Sequence, residues 1–381
     1  MAGRLPAAPP VLPGLTYVRP LGTGGFADVF LFQQDMPRRP VAVKVLLEDI
    51  VDDTVLRMFN AEADVMASLS AHPSILTVYQ ASISSDGRPY LVMEYCPGSL
   101  TTRYRRERIP VDEVLHIGVK IASALETAHR AGLLHRDVKP SNILTTSFGM
   151  PVLSDFGIAT SVRAREDDVL AMSVPWSAPE IVDEQSSGTI ATEVWSLGAT
   201  VYSLLAGHSP FERAGSGQNQ REQLKARIRR ASYTPTGRDD VPASLEQLLR
   251  SSMSRSPAGR PASAAEFAHQ LQLIQHELGL GHTPIEVSTD EWASTATPVS
   301  FDDAEMRGVT RAAVAYDTRR PARSRTGGDR TPSASDTLLP GSESAPRRGS
   351  RVGLALLIVL GSLAVVAAAA AAIVIVSQGG L

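Results

Sequence analysis

From Leu15 to Gly281 the chain orders its strand-like segments first and its helical segments second, and no other feature narrows the fold as much. Strands followed by helices within one block give an α+β architecture. Alternating apolar positions predict strands over 16–21, 28–33, 41–46 and 90–95, with Ser85, Asp86 and Gly87 marking a turn before the last. One helix is predicted among them, over 53–70. Farther on, Val114, Ile117, Ile121, Leu125 and Ala128 recur every three or four residues and form one apolar helical face, and 191–206 and 242–253 read the same way. No solenoid-type repeat interrupts the pattern, so 15–281 is expected to be a single domain.

The flanks read differently. Residues 1–14 are rich in Ala and Pro, lack the apolar stretch of a secretory signal, and are expected to form a flexible tail. Residues 282–350 turn to Ser, Thr, Pro, Gly and Arg and cannot bury enough surface to offset the entropy of ordering, which predicts a disordered juxtamembrane linker. From Val352 to Val376 no charge occurs, and as a helix this stretch would span roughly 37 Å, enough to cross a bilayer. The alternative is a buried core helix or an Ala-rich coiled segment. Arg347, Arg348 and Arg351 precede the stretch and no basic residue follows it, so a transmembrane helix over 351–377 would leave the N-terminal side in the cytoplasm and 378–381 outside. With so little beyond it, the helix reads as an anchor in the cell membrane and not as the stem of a sensor.

The 37 Lys and Arg against 40 Asp and Glu give a net charge of −3, which argues against a dedicated nucleic-acid binder. The single cysteine, Cys96, cannot form an intramolecular disulfide, and its default role is that of a small apolar side chain.

Chemistry enters with the Gly-rich turn Leu21-Gly22-Thr23-Gly24-Gly25-Phe26-Ala27-Asp28-Val29, where missing side chains let backbone N–H groups approach phosphate oxygens. Taken alone, such a turn is equally well an ordinary tight hairpin. Lys44 ends the apolar strand Val41-Ala42-Val43-Lys44, and a buried ammonium needs an anion. Glu62 on the following helix and the phosphates of a nucleotide both qualify. His135-Arg136-Asp137-Val138-Lys139-Pro140-Ser141-Asn142, then Asp155-Phe156-Gly157, then Ala178-Pro179-Glu180 complete the set.

With these motifs in this order and spacing, residues from about 15 to 278 resemble the protein kinase superfamily, in particular its bacterial Hanks-type members, which are similar to eukaryotic serine/threonine kinases. The resemblance implies a two-lobed fold with a small β-rich N-lobe and a larger helical C-lobe. It implies a non-specific serine/threonine protein kinase using ATP and Mg2+, with Mn2+ as the alternative ion, on Ser and Thr hydroxyls of cytosolic proteins. Asp137 would orient the substrate hydroxyl, Lys139 would face the transferred phosphoryl group, and Asn142 and Asp155 would hold the metal. Met93, Glu94 and Cys96 would line the adenine pocket, with Leu21, Val29, Ala42 and Leu144 as apolar walls, and Gly22, Gly24, Gly25, Lys44 and Glu62 would serve the phosphates. Arg136 would await a phosphate from an activation segment that contains Thr160, Ser161 and Ser173. Glu180 and Arg260 would form a structural pair, and Glu193 would brace the His135 loop.

Several residues depart from the family pattern. Ala27 stands where a third glycine is usual, Trp176 replaces Tyr, and Ser173 replaces the Thr expected to bond Asp137 and Lys139. Glu193 replaces Asp, and its extra methylene is expected to loosen the brace. Glu166, Asp167 and Asp168 would either stand in for a loop phosphate or form a solvated charge run. Thr283, Thr297 and Thr331 each precede Pro, so the linker is either a docking tail for phosphothreonine-reading modules or a passive spacer. Signals would arrive through the membrane, a partner or a homodimer. The rival to an active enzyme is a membrane-tethered pseudokinase scaffold, disfavoured because Lys44, Asp137, Asn142 and Asp155 are all present.

Overall fold

The computed structural model describes residues 4–156, 173–215 and 217–287, without the side chains of Asp53, Met58 and Glu62. The expected membrane span, the linker beyond residue 287, Thr160, Ser161 and the acidic trio Glu166, Asp167 and Asp168 all lie outside the described residues. Among the described residues no helix is long and apolar enough to cross a membrane.

Five antiparallel strands make the first lobe: β1 (Leu15–Thr23), β2 (Ala27–Gln34), β3 (Arg39–Leu46), β4 (Val78–Ile83) and β5 (Pro89–Glu94), in the order β1-β2-β3-β5-β4. Side chains alternate across a strand, so β3 supplies two cores at once. Val41, Val43 and Val45 join Phe30, Phe32, Tyr90 and Val92 on one face. Ala42 and Leu46 face the other way and pack with Leu91, Met93 and the helix α1 (Asp53–Leu69), through Val55, Phe59 and Ala63. α1 starts where the Asp52 carboxylate accepts the otherwise orphaned N–H groups of Thr54 and Val55. The register Val29↔Lys44 and Ala42↔Met93 brings the expected nucleotide-contacting residues of three strands side by side.

A small sheet of β6 (Gly98–Ser99), β7 (Ile143–Thr145) and β8 (Pro151–Leu153) carries the motif loops, and the helices form the second lobe. These are α2 (Leu100–Arg106), α3 (Val111–Arg130), α4 (Pro179–Val182), α5 (Ile190–Ala206), α6 (Arg221–Arg230), α7 (Ala243–Ser252) and α8 (Ala264–Glu277). α3 and α5 are buried along most of their length, α3 with Lys120, Ser123, Glu126 and Thr127 enclosed beside its apolar face. α5 begins in a capping box formed by Thr189 and Thr192, and this fixes where Glu193 leaves the first turn.

Three expectations need correction. The edge strand β4 was not anticipated: its alternating Tyr79, Ala81 and Ile83 lie on an exposed face of the sheet edge. Residues 4–14 are not a free tail. Leu12 is buried against the outer face of the sheet, Ala7 N–H donates to Asp28 Oδ2 at 2.7 Å, Arg4 pairs with Asp28, and Arg88 donates to the Ala8 carbonyl at 3.0 Å. The cause is Asp28, which is 1% exposed and finds in the tail the donors that a buried carboxylate requires. The linker likewise does not start at 282. Thr283 is 5% exposed, its N–H donates to Gln275 Oε1 at 3.0 Å, and its carbonyl accepts from Gln272 Nε2 at 2.7 Å.

Close approach of α5 to α7 depends on Gly198, where an added Cβ would lie 2.1 Å from Ser252 Oγ and 2.8 Å from its Cβ. Gly198→Ala should therefore cost about 1–3 kcal/mol through overpacking, read as a lower urea midpoint at unchanged slope.

Candidate active site

Arg136 and Asp155 both sit at positive φ, 65 and 59, a left-handed conformation that side chains with a Cβ adopt at some cost. His135 lies between their loops. Its Nε2 bonds the Ser154 carbonyl at 2.9 Å, its Nδ1 accepts from Asp137 N–H at 3.2 Å, and its ring packs 4.7 Å from that of Phe156. One imidazole thus ties the loop of Asp137 to the strand end that presents Asp155.

Around Asp137 the polar groups converge. Ser173 Oγ donates to Asp137 Oδ1 at 2.7 Å, and Lys139 Nζ lies 2.8 Å from Asp137 Oδ2 and 2.9 Å from Ser173 Oγ. Ser173 thus makes both contacts expected of the usual Thr. Asn142 Nδ2 donates to the Asp137 carbonyl at 2.8 Å and to Oδ2 at 3.1 Å, so the amide oxygen is the atom Asn142 has left for a ligand. Across the site, Lys44 Nζ lies 2.6 Å from Asp155 Oδ1, and its ammonium holds the Asp155 carboxyl below the usual carboxylate range against the opposing effect of burial. Glu62 falls in α1, with its side chain outside the described residues.

The expected adenine-lining residues share one apolar cluster. Ala42 and Met93 are buried there, and Leu21, Val29, Cys96 and Leu144 pack partly buried against the same cluster. Leu76 and Val152 also belong to it and are not evident from the sequence, because apolar pairs in short segments carry no periodic signal. Burial, with the charge of Glu94 adding to it, pushes the Cys96 thiol up to about 12, which leaves it protonated and unreactive at neutral pH. In the glycine turn, Gly24 N–H donates to the Ala27 carbonyl at 2.9 Å, a Cβ on Gly24 would approach that oxygen to 3.1 Å, and a Cβ on Gly22 would meet nothing within 4 Å.

The outlying pairs have the geometry of supports. Arg260 forks onto Glu180 at 2.6 and 2.9 Å while donating to the carbonyls of Ala191 and Ser254, and it lies over the Trp195 ring. Glu193, 2% exposed, accepts from Arg136 N–H at 2.5 Å and bonds His129 Nε2 at 2.6 Å. The longer side chain does not loosen the brace. It lets one carboxylate span two partners, and His129 was missed because it lies outside the motif it supports. The Arg136 side chain is exposed.

An apolar cluster, a glycine turn, a cation beside a carboxylate and a second carboxylate with a hydroxyl at hand fit a nucleotide and a hard divalent ion. The family profile described as "Protein kinase domain" matches residues 15–275. Serine/threonine-protein kinase PknK of Mycobacterium bovis is 43% identical over 272 residues, which cover 70% of this chain and 24% of that protein. Serine/threonine-protein kinase PrkC of Bacillus subtilis is 30% identical over 297 residues, 75% of this chain and 44% of that protein. The probable serine/threonine-protein kinase CPE1738 of Clostridium perfringens is 32% identical over 266 residues, 68% of this chain and 38% of that protein. The chain thus spans about a quarter of the length of the first curated relatives it matches.

Replacing Glu193 tests the brace. Glu193→Ala strips two buried donors of their acceptor, at roughly 1–3 kcal/mol each, whereas Glu193→Asp can still serve one of them. Chemical denaturation should rank the three proteins wild type, Asp, Ala in falling stability.

Proposed function

We propose, from the premise that this chain belongs to the protein kinase family and to its bacterial serine/threonine branch, that it transfers the γ-phosphate of ATP to Ser or Thr hydroxyls of other proteins. The observation that carries the reading is the convergence of Ser173, Lys139 and Asn142 on the Asp137 carboxylate, opposite the Lys44–Asp155 pair.

Phosphoryl transfer asks a protein for position and for charge neutralisation, with little covalent work. In this reading Asp137 accepts a hydrogen bond from the substrate hydroxyl and takes up its proton as the oxygen turns to the phosphorus. Lys139 neutralises charge that develops on the transferred group, and Ser173 and Asn142 keep the Asp137 carboxylate aimed. Lys44 holds phosphate oxygens while the turn from Leu21 to Val29 excludes water from above. Asn142 and Asp155 would hold Mg2+, or Mn2+ in its place, which supplies charge neutralisation between phosphate oxygens when bound. Leu21, Val29, Ala42, Met93 and Leu144 would enclose the adenine.

The same reading extends beyond the described residues. We infer that residues 351–377 anchor the chain in the cell membrane with the domain on the cytoplasmic side. The support is the uncharged stretch from Val352 to Val376, preceded by Arg347, Arg348 and Arg351. Thr297 and Thr331 remain the candidate docking sites for phosphothreonine-reading modules, whereas buried Thr283 drops out of that set.

With labelled ATP, Mg2+ and a generic protein substrate, the purified chain should label the substrate, and Asp137→Asn should lower the rate by about 10²–10⁴-fold without weakening nucleotide binding. Undiminished transfer by that variant would overturn the assignment, and a wild-type chain that binds ATP but transfers nothing would favour the scaffold reading. For the anchor, cell fractionation should place the full chain with membranes after an alkaline wash, and a chain ending at residue 350 should appear in the soluble fraction.

A further inference from the structure

Residues 283–286 lie beyond the last motif of the domain, yet they are tied to it by a continuous set of hydrogen bonds. Lys120, in the middle of α3, is 4% exposed, and Glu286 Oε1 lies 2.8 Å from its ammonium. Glu286 N–H donates to Ser123 Oγ at 3.3 Å, and Ile285 packs on the core of the helical lobe. The Glu286 carbonyl accepts from His72 Nε2 at 2.6 Å, where burial of the ring lowers its pKa and keeps it neutral. His72 belongs to the turn that leaves α1, and its Nδ1 accepts from Ser74 N–H at 3.0 Å. That turn is bound to β8: Leu153 N–H donates to the Ser74 carbonyl at 2.9 Å and Leu76 N–H donates to the Leu153 carbonyl at 3.0 Å. One residue on, Ser154 N–H donates to the Asn142 carbonyl at 2.9 Å, and Asp155 follows.

We propose that Glu286 is a positioning residue for the nucleotide and its metal: clamped by Lys120, it sets the 72–76 turn through His72, and through that turn the position of β8, which presents Asp155 beside Asn142. The inference rests on the kinase reading for the roles of Asp155 and Asn142. Its physical content is the hydrogen-bonded connection from the Glu286 carbonyl through the His72 imidazole to Ser74, and from the 74–76 backbone to β8. A short segment outside the motifs then governs how the metal ligands meet.

The test compares the full chain with Glu286→Lys, which opposes the buried Lys120, and with the charge swap Lys120→Glu/Glu286→Lys. The measurements are Mg-ATP affinity by calorimetry, the Mg2+ concentration for half-maximal rate, kcat, and thermal midpoint. Glu286→Lys should weaken Mg-ATP binding and raise the Mg2+ requirement about tenfold with a smaller change in kcat, and the swap should restore both to within about threefold. A merely structural role would lower the midpoint and the active fraction while leaving the Mg2+ requirement of the remaining active protein unchanged, and that result overturns the proposal. Should Glu286→Lys fail to fold, Glu286→Gln is read by the same affinity shift, and unchanged Mg-ATP affinity in that variant also overturns it. A wild-type chain that binds Mg-ATP but transfers no phosphate would refute the kinase reading alone, because the binding measurement still decides the positioning role.

Discussion

Arg136 holds its backbone at φ 65, a conformation that costs a residue with a long side chain about 1–3 kcal/mol. It persists because its N–H is aimed at the buried Glu193 carboxylate, 2.5 Å away, and a charge-assisted hydrogen bond in a low-dielectric surrounding is strong enough to offset that cost. Much of the site hangs on this contact. Turning the chain at Arg136 points Asp137 inward, toward Lys139, Asn142 and Ser173, while the Arg136 side chain stays outside. Glu193 is aimed in turn by the contacts that place α5. The helix is capped at Thr189, pressed on α7 through Gly198 and held at its first turn by Arg260, which bonds the Ala191 carbonyl.

A second strained residue, Asp155 at φ 59, is joined to the first by His135. The ring donates to the Ser154 carbonyl and accepts from the Asp137 N–H, so the two carboxylates that the proposed mechanism uses share one rigid spacer. Distances between them are then set by an aromatic ring packed on Phe156 and not by flexible side chains. Strain of this kind suits a site whose task is to hold reacting groups at fixed separations.

Most of this was legible before any coordinates. The motif residues lie close together in sequence, and the strands and long helices announce themselves by period. The strand and helix blocks point to an α+β fold, the resemblance implies its two lobes, and residues 53–70 nearly match α1. What escaped notice was non-local or without pattern. His129 meets Glu193 across 64 positions of the chain, and no spacing rule links a residue near the end of α3 to one at the start of α5. Val152 and Leu76 lie in apolar pairs too short to show a period, and β4 is an exposed edge. The tail and the start of the linker defy composition for a shared reason: Pro-rich or polar segments with few large apolar side chains read as disordered by themselves, and composition cannot register a partner elsewhere in the fold.

Both misjudged segments answer a buried charge. Asp28 lies at the start of β2 and Lys120 inside α3, positions where a solvated side chain would be the ordinary expectation, yet both are almost fully enclosed. A charge so placed requires a counter-charge or several hydrogen bonds. For Asp28 these come from Arg4 and Ala7, and for Lys120 from Glu286, on opposite sides of the stretch matched by the family profile. The recurring motifs therefore delimit the chemistry and not the folding unit. Its physical limits lie where the buried charges of the domain find their partners, at least from Arg4 to Glu286. A protein trimmed to the motif limits would expose or orphan one charge at each end, and at the second of these it would also release the His72 turn that bears on β8.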